Sequence, residues 1–387
     1  MSSTKIDFLY LNEEEMVKAG VTDMHRCVEV MGEVFDLMGR GDYVMGGKNH
    51  NSHGIMISFP DEPEFPNMPK NGPDRRFMAM TAYLGGRFNI AGEKWYGSNR
   101  DNVEKGIPRS ILMVMLNNAD TGAPEALMSA NLISAVRTGA IPGVGAKYLA
   151  RPESRVCALI GAGVISRTCF MSLIDVCTKL DTVKIYDIYP AASEKLAAYI
   201  RQNYPQIHTI ELVDSVEEAV READIIVDTV EGPGGKADVV NVATSGKVYP
   251  RIEEEWLKPG VYVSLPAGID LDPDFVLNRA RRVVDNWKMY EAWSDELKYP
   301  YHPIMGLIGT YYLDWLAEGR MTEDMIENLG DIAAGKIAGR KNDEEKILFG
   351  MGGMPVYDVA WGHTVYHQAK EMGLGTTLNL WDKPYLY

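Results

Sequence analysis

Lys94 is the first candidate whose type and setting could do chemistry. It lies in the stretch AYLGGRFNIAGEKWYGS, where glycines on both sides imply a backbone that bends, and Trp95 and Tyr96 could wall a pocket. A lysine there could hold a substrate carboxylate, or transfer a proton if it is removed from water. A lone lysine is more often a solvated surface charge, and composition alone favours that interpretation.

Arg137 is the second candidate, in SANLISAVRTGAIPGVGAKYLA. It stands among small and apolar residues, where a solvated arginine is unusual. Its planar guanidinium suits bidentate capture of a carboxylate, and small neighbours such as Thr138 would let a cofactor approach closely. The alternative is a buried structural ion pair.

A glycine turn, Gly161-Ala-Gly163, follows the apolar run CALI and precedes a helical segment. The first glycine permits a tight turn and the second lets the backbone approach a pyrophosphate. The N–H groups of the following helix would face the phosphates. The predicted dinucleotide-binding residues are Gly161, Gly163, Val164, Ile165 and Ser166; the alternative is a turn without a ligand.

Asp187 ends the next predicted strand, 26 positions after Gly161. An acidic residue near this spacing binds the ribose 2′-hydroxyl and repels a 2′-phosphate, which favours NAD over NADP. The alternative is a turn or cap aspartate before Pro190.

Asp270 and Asp272 follow another predicted strand, in SLPAGIDLDPDF. Asp270 could accept a proton from a substrate ammonium or from attacking water, whereas helix capping fits Asp272 before Pro273 better. His363 and His367 share a face of a predicted helix, but no third ligand is spaced to join them. We therefore interpret them as packing or surface residues and predict no metal site.

The elements that must position these residues fall into two blocks. Up to about residue 130 the pattern is β-rich, with a predicted helix at DMHRCVEVMGEVFDLMGRG and a hairpin at RSILMVMLNNADTGAPEALMSA. From 131 to 309 short apolar strands alternate with helical stretches, as in a parallel α/β sheet. The tail from 310 to 387 reads as helical and is assigned, with residues 1–130, to the first domain.

The chain's bulk properties favour a small-molecule partner. Its 387 residues carry 54 acidic and 39 basic side chains, a net charge of −15 that disfavours nucleic acid and anionic membranes. No segment has the roughly 18 to 20 consecutive apolar residues of a membrane span, and the N-terminus lacks a signal-peptide pattern. A cytoplasmic protein is expected.

The motifs GxKW, SAVRTGA and IGAGVIS and the tail GRKNDEEKILFGMGGMPVYDVA together resemble the ornithine cyclodeaminase and mu-crystallin family. The resemblance covers roughly residues 70 to 365 in the family's motif order. AYLGGRFNIAGEKWYGS and VSLPAGIDLDPDF look most like the branch of N-(2-amino-2-carboxyethyl)glutamate dehydrogenases.

The resemblance implies an α/β fold, in which a Rossmann-type doubly wound parallel sheet is inserted in a β-rich α+β substrate and dimerisation domain. Lys94 and Arg137 would bind the substrate carboxylate, and Lys48 in MGGKNH would assist. Asp270 would take the proton, although the family's usual AVGGD-like stretch reads SLPAGID here. The resemblance also implies a homodimer.

The activity implied is hydride transfer at the Cα–N bond of an amino acid, with NAD as cofactor, giving an imine. The imine could be cyclised, as in ornithine cyclodeamination, or hydrolysed, as in N-carboxyalkyl amino acid dehydrogenases. In the reverse direction a ketimine would be reduced. A non-catalytic NAD(P)-dependent ligand-binding protein is the alternative from another functional class.

Overall fold

The computed structural model describes residues 4–72, 74–230 and 249–386. The chain divides into two compact units. The first unit comprises Met1–Arg137 and Met354–Tyr387, and the second, which is inserted in it, comprises Thr138–Gly353.

The elements are numbered in chain order over the described residues. The first segment holds β1 (Ile6–Leu11), α1 (Glu13–Lys18), α2 (Met24–Arg40), β2 (Tyr43–Met45), β3 (Ile55–Ser58), β4 (Arg76–Leu84), β5 (Ile90–Ser98), β6 (Ser110–Asn118), β7 (Pro124–Ser129) and α3 (Asn131–Leu149). The inserted segment begins with β8 (Val156–Ile160), α4 (Val164–Val176), β9 (Thr182–Tyr186), α5 (Pro190–Asn203), β10 (Thr209–Leu212), α6 (Val216–Val220) and β11 (Ile225–Asp228).

The inserted segment continues with β12 (Arg251–Ile252), β13 (Tyr262–Leu265), β14 (Asp270–Leu271), α7 (Pro273–Asn278), β15 (Arg281–Val284), α8 (Trp287–Ser294), α9 (His302–Met305), α10 (Ile308–Ala317), β16 (Glu327–Asn328), α11 (Leu329–Ala333) and β17 (Ile347–Gly350). The chain closes with α12 (Pro355–Glu371) and β18 (Thr376–Trp381). Short 3-10 helices lie at Arg100–Lys105, Glu254–Trp256 and Glu323–Met325.

The sheet of the first unit has the order β18-β1-β7-β6-β5-β4-β2, with β3 paired to β4. The predicted hairpin is confirmed as the antiparallel pair β6 and β7. Along β4, Met78, Met80 and Leu84 are buried while Phe77 is exposed, because successive side chains of a strand point to opposite faces. One face of this sheet therefore belongs to the core.

Helix α2 confirms the helix predicted from three- and four-residue apolar steps. Asp23 caps its N-terminus by accepting a hydrogen bond from the Arg26 backbone N–H. Gly41 ends it with a left-handed φ of 82°, which a residue without Cβ adopts readily. Its apolar stripe, which includes Val34 and Phe35, is buried.

The sheet of the second unit is parallel, with the order β10-β9-β8-β11-β13-β17-β15-β16. Its first five strands follow the 3-2-1-4-5 order of a Rossmann sheet. Four of them, β8, β9, β11 and β13, coincide with strands predicted from short apolar runs. The predicted Rossmann-type α/β class is confirmed.

The C-terminal boundary of the inserted unit differs from the prediction. We expected the first domain to resume at residue 310, but the second unit extends to Gly353. The reason is β17, which pairs in parallel with both β13 and β15 and so belongs inside the nucleotide-type sheet. The helical interpretation of the tail missed this strand because only four apolar residues mark it. Among the described residues, no helix combines the length and apolar character needed to cross a membrane.

Candidate active site

Three charged side chains meet in the core of the first unit: Lys94, Arg137 and Asp358. Lys94 lies on β5, on the same face as the buried Tyr96, and pairs across the sheet with Met80 and Val114. This face packs toward α12, which carries Asp358. As whole residues the three are 3%, 4% and 0% exposed, in the order given, so water cannot screen their interaction.

Asp358 bridges the two cations. The Arg137 Nε–H donates to Asp358 Oδ1 at 3.0 Å, and Arg137 Nη2 lies 3.0 Å from Oδ2. The Lys94 Nζ also lies 3.0 Å from Oδ2. The interpretation of Lys94 as a solvated surface charge is therefore wrong. The alternative for Arg137, a buried ion pair, is what the structure contains.

Burial determines the proton affinity of Lys94. Removal from water, and after it the Arg137 charge, lower the pKa of Lys94, Asp358 opposes the decrease, and the net result is a pKa of about 8. A lysine with this pKa exchanges its proton near neutral pH, as a general acid or base must. The cluster carries one excess positive charge when Lys94 is protonated, and that charge suits a carboxylate ligand.

Asp358 is the functional candidate that sequence reasoning missed. It stands in GMPVYDVAWG, which we interpreted as a helix and, in part, as a family motif, without assigning a role to the aspartate. Its helix neighbours Val356, Tyr357, Val359 and Ala360 are all buried. An aspartate within such an apolar run is seldom fully buried without a cationic partner, and this was the available signal.

The glycine turn of the second unit fits a dinucleotide phosphate. Gly161 has a φ of 89°, and a Cβ there would come within 2.7 Å of Thr229 Oγ1. Gly163 is the N-cap of α4, and over the described residues no side-chain capping bond to this helix is present. An added Cβ at Gly163 meets nothing within 4 Å. The first N–H groups of this 13-residue helix are thus open to an anion.

The other predicted cofactor residues lie nearby or on α3. Val164 is exposed, Ile165 is half-buried and Ser166 is buried in the first turn of α4. Thr138 is half-buried on α3 and is the first residue of the second unit. Their contact with a nucleotide stays a prediction.

Asp187 stands directly after β9, at the glycine turn. Its Oδ2 accepts a hydrogen bond from the Ala162 N–H at 2.7 Å, and its Oδ1 accepts one from the Tyr189 N–H at 2.8 Å. The turn-cap interpretation is thus correct for the structure as it stands. The same bonds hold the carboxylate beside the turn where a ribose is expected.

Asp270 forms an ion pair instead of standing alone. The Arg251 Nη1 lies 3.0 Å from Asp270 Oδ1, and the same guanidinium binds Glu253. Its role as proton acceptor stays a prediction. Asp272 caps α7, as predicted, by accepting a hydrogen bond from the Asp274 N–H.

The remaining candidates of the first unit are Lys48 and two histidines. Lys48 is exposed in a turn after β2, and its predicted substrate contact stays a prediction.

His363 and His367 lie on α12 with their Nε2 atoms 3.0 Å apart. Burial lowers the pKa of His363 to about 4, with help from His367 and Arg87. Over the described ranges, no group of three or more histidine, cysteine or acidic side chains is arranged to hold a metal ion.

Comparison with known proteins decides the family. The model of the ornithine cyclodeaminase/mu-crystallin family matches residues 20–373. The chain belongs to this family. The resemblance found in the motifs is thereby confirmed over almost the whole chain.

Individual relatives agree with the ornithine cyclodeaminase/mu-crystallin assignment. N-((2S)-2-amino-2-carboxyethyl)-L-glutamate dehydrogenase of Staphylococcus aureus is 27% identical over 379 residues, which are 97% of this chain and 99% of the relative. Alanine dehydrogenase of Archaeoglobus fulgidus is 30% identical over 78% of this chain and 82% of its own. An archaeal alanine dehydrogenase dimer solved with NAD superposes with a TM-score of 0.74 at 25% identity, covering 97% of this chain and 100% of that one.

Proposed function

We propose that the protein is an NAD-dependent amino-acid oxidoreductase that acts at the Cα–N bond of its substrate. The observation that carries this proposal is the buried cluster of Lys94, Arg137 and Asp358. When Lys94 is protonated the cluster presents one excess positive charge, and it places a titratable amine at a buried position. Such a site suits the carboxylate of an amino acid and a proton transfer beside it.

The second unit would hold the cofactor. Gly161, Gly163 and the first turn of α4 would bind the pyrophosphate, and Asp187 would bind the adenosine ribose. Thr138 would contact the dinucleotide from α3. When bound, NAD⁺ accepts the hydride from Cα, so that an amino acid and NAD⁺ give an iminium acid, NADH and one proton.

The chain's own residues would bind the substrate and move that proton. Arg137 would clamp the carboxylate, with Lys48 assisting. Protonated Lys94 would help to bind the carboxylate, and its neutral form, available near pH 8 because the pKa is lowered, would take the proton from the substrate ammonium. Asp270 is the second candidate for proton transfer, once its ion pair with Arg251 opens.

Three reactions at the Cα–N bond compete. Cyclisation of ornithine or a similar diamino acid is what the family name suggests. Oxidation of an N-carboxyalkyl amino acid is favoured by the Staphylococcus aureus relative, because the alignment spans 97% of one chain and 99% of the other. Reduction of a ketimine would use the same site in the opposite direction.

A cytoplasmic homodimer is part of the proposal. The outer face of the first unit's sheet exposes Ile57, Phe77, Ile111 and Met113 in a continuous apolar surface. It includes a groove of about 520 Å³. An apolar sheet face of this kind usually marks an interface. Ile111→Glu should convert a dimer to monomers in size-exclusion chromatography with light scattering, whereas Val103→Glu, an exposed control, should not.

The first experiment follows nicotinamide absorbance at 340 nm. Purified protein is mixed with NAD⁺ or NADP⁺ and a panel of amino acids and N-carboxyalkyl amino acids, and products are analysed for ammonia, proline and keto acids. NADH formation with one substrate, or ammonia and proline from ornithine without net NADH, would support the proposal. No change in either direction, with imino acids included, would contradict it and favour a binding protein.

A further inference from the structure

We infer that Asp358 is the positioning residue of the carboxylate site: it fixes the Arg137 guanidinium in place and keeps Lys94 a cation that can meet a substrate carboxylate. The inference rests on the proposed function, because that function supplies the substrate carboxylate as the ligand. The role of Asp358 toward its two neighbours can be tested without that function.

The first argument is orientation. Asp358 Oδ1 accepts a hydrogen bond from the Arg137 Nε–H, and its Oδ2 lies 3.0 Å from Nη2 as an ion pair, so the carboxylate faces the Nε and Nη2 edge of the guanidinium. Across the part of the chain that the structure describes, Nη1 has no hydrogen-bond partner. The edge that contains Nη1 is therefore available to a ligand, and Asp358 determines the direction in which it points.

The second argument is charge. Lys94 and Arg137 carry two positive charges and Asp358 one negative charge, so one monoanionic carboxylate neutralises the cluster. Without Asp358 the pair would hold two uncompensated buried charges, which is costly. Lys94 would relieve that cost by losing its proton, because guanidinium stays charged. Asp358 thus keeps a second cation in the site.

Few other groups can take over this role. Among the described residues, the titratable side chains beside the cluster include the Tyr96 phenol on β5, the Tyr357 phenol on α12 and the Cys27 thiol on α2, all buried. Burial raises the pKa of Tyr96 and of Cys27, so both stay neutral near pH 8. Asp358 is the negative partner in direct contact with Lys94.

A second bridging aspartate provides a matched control. Asp224, in the second unit, also joins a lysine and an arginine: Lys258 Nζ and Arg151 Nη2 each lie 2.7 Å from its Oδ1. It is 4% exposed, and none of the three residues belongs to the proposed catalytic or binding machinery. Asp224→Asn therefore removes a comparable carboxylate elsewhere.

The test is a carbon NMR titration of protein labelled with [ε-¹³C]lysine. The Lys94 signal is identified by its absence in Lys94→Met. We expect a midpoint near pH 8 in the wild type, a clearly lower midpoint in Asp358→Asn, and no change in Asp224→Asn. Equal midpoints in Asp358→Asn and the wild type would overturn the inference, whether or not a substrate has been found.

Kinetics with the substrate from the 340 nm panel test orientation separately. Asp358→Glu keeps the charge but moves it by one methylene, so the Lys94 midpoint should stay near that of the wild type. Its KM should rise about tenfold or more, with kcat changed less, because the guanidinium is displaced. An unchanged KM would overturn the positioning role, and this variant decides the question if Asp358→Asn does not fold. An inactive wild type would contradict only the proposed function.

Discussion

The two buried aspartates that bridge a lysine and an arginine differ in what else they bind. Asp224 forms ion pairs with Lys258 and Arg151 through Oδ1. Its Oδ2 accepts hydrogen bonds from the backbone N–H groups of Arg155 and Val156. Burial alone would raise the pKa of Asp224, but Lys258, these N–H groups and Arg151 together lower it below its ordinary value. Among the residues that the structure describes, the recorded polar partners of the Asp358 carboxylate are the two cations.

The cations differ as well. Side chains of Arg151 and Lys258 are 26% and 24% exposed, so water stabilises them without any ligand. Side chains of Lys94 and Arg137 are 4% and 5% exposed. Asp224 binds backbone N–H groups as well as two partly exposed cations, and this arrangement indicates a structural role. Both clusters carry one excess positive charge when the lysine is protonated, but the cations of Asp358 are buried, so an anionic ligand rather than water would compensate that charge.

The largest effect is expected from Arg137→Met. Loss of the guanidinium removes the carboxylate clamp and leaves Asp358 with one partner, so kcat/KM should fall by about 10² to 10³. Steady-state kinetics with the substrate from the panel measures it. Arg151→Met is the matched control, and a comparable loss of kcat/KM there would contradict the distinction between the two clusters.

Lys94→Arg should have the next largest effect. In the oxidative direction kcat of the wild type should rise as the pH increases through about 8, because neutral Lys94 accepts the proton. Arginine stays protonated at these pH values, so the variant should lose about 30-fold in kcat and the rise with pH. A pH–rate profile with the same inflection in the variant would assign the proton transfer elsewhere, with Asp270 as the first candidate.

Asp224→Asn should change stability rather than catalysis. Because the folded-state pKa of Asp224 is lowered, its contribution is complete above its ordinary pKa and is lost as the pH falls through the lowered value. At pH 7 the variant should lose about 2 kcal/mol of unfolding free energy, measured by urea titration, and this difference should shrink in acid. An undiminished difference at pH 2 would exclude the charge as its cause.

Asp187→Ser should have the smallest effect. Removing the carboxylate beside the glycine turn removes the repulsion of a 2′-phosphate, so the preference for NAD⁺ over NADP⁺ should fall about tenfold in kcat/KM. The control is Asp181→Ser, because Asp181 directly precedes the first residue of β9, at the end of the strand opposite to Asp187. If both variants keep the wild-type preference, Asp187 serves only the turn that it caps.

The features that could be predicted from the sequence are those determined by residues close together in the chain. The glycine turn, the strands around it, the capping role of Asp272 and helix α2 follow from short-range periodicity and turn chemistry, and the structure contains them. The Arg137 and Asp358 bond joins residues 221 positions apart, and no local pattern encodes such a pair. Strand β17 was missed for a related reason, since only pairing with β13 and β15 distinguishes its four residues from a helix segment.

The most direct test of the account is a crystal structure of the protein with NAD⁺ and the substrate, or a product analogue, found in the panel. The account predicts that the carboxylate lies within hydrogen-bond distance of Arg137 and Lys94, with Asp358 still joined to both. A carboxylate bound away from this cluster, with the three side chains unchanged, would contradict the central claim and leave the cluster as an ion pair of the core.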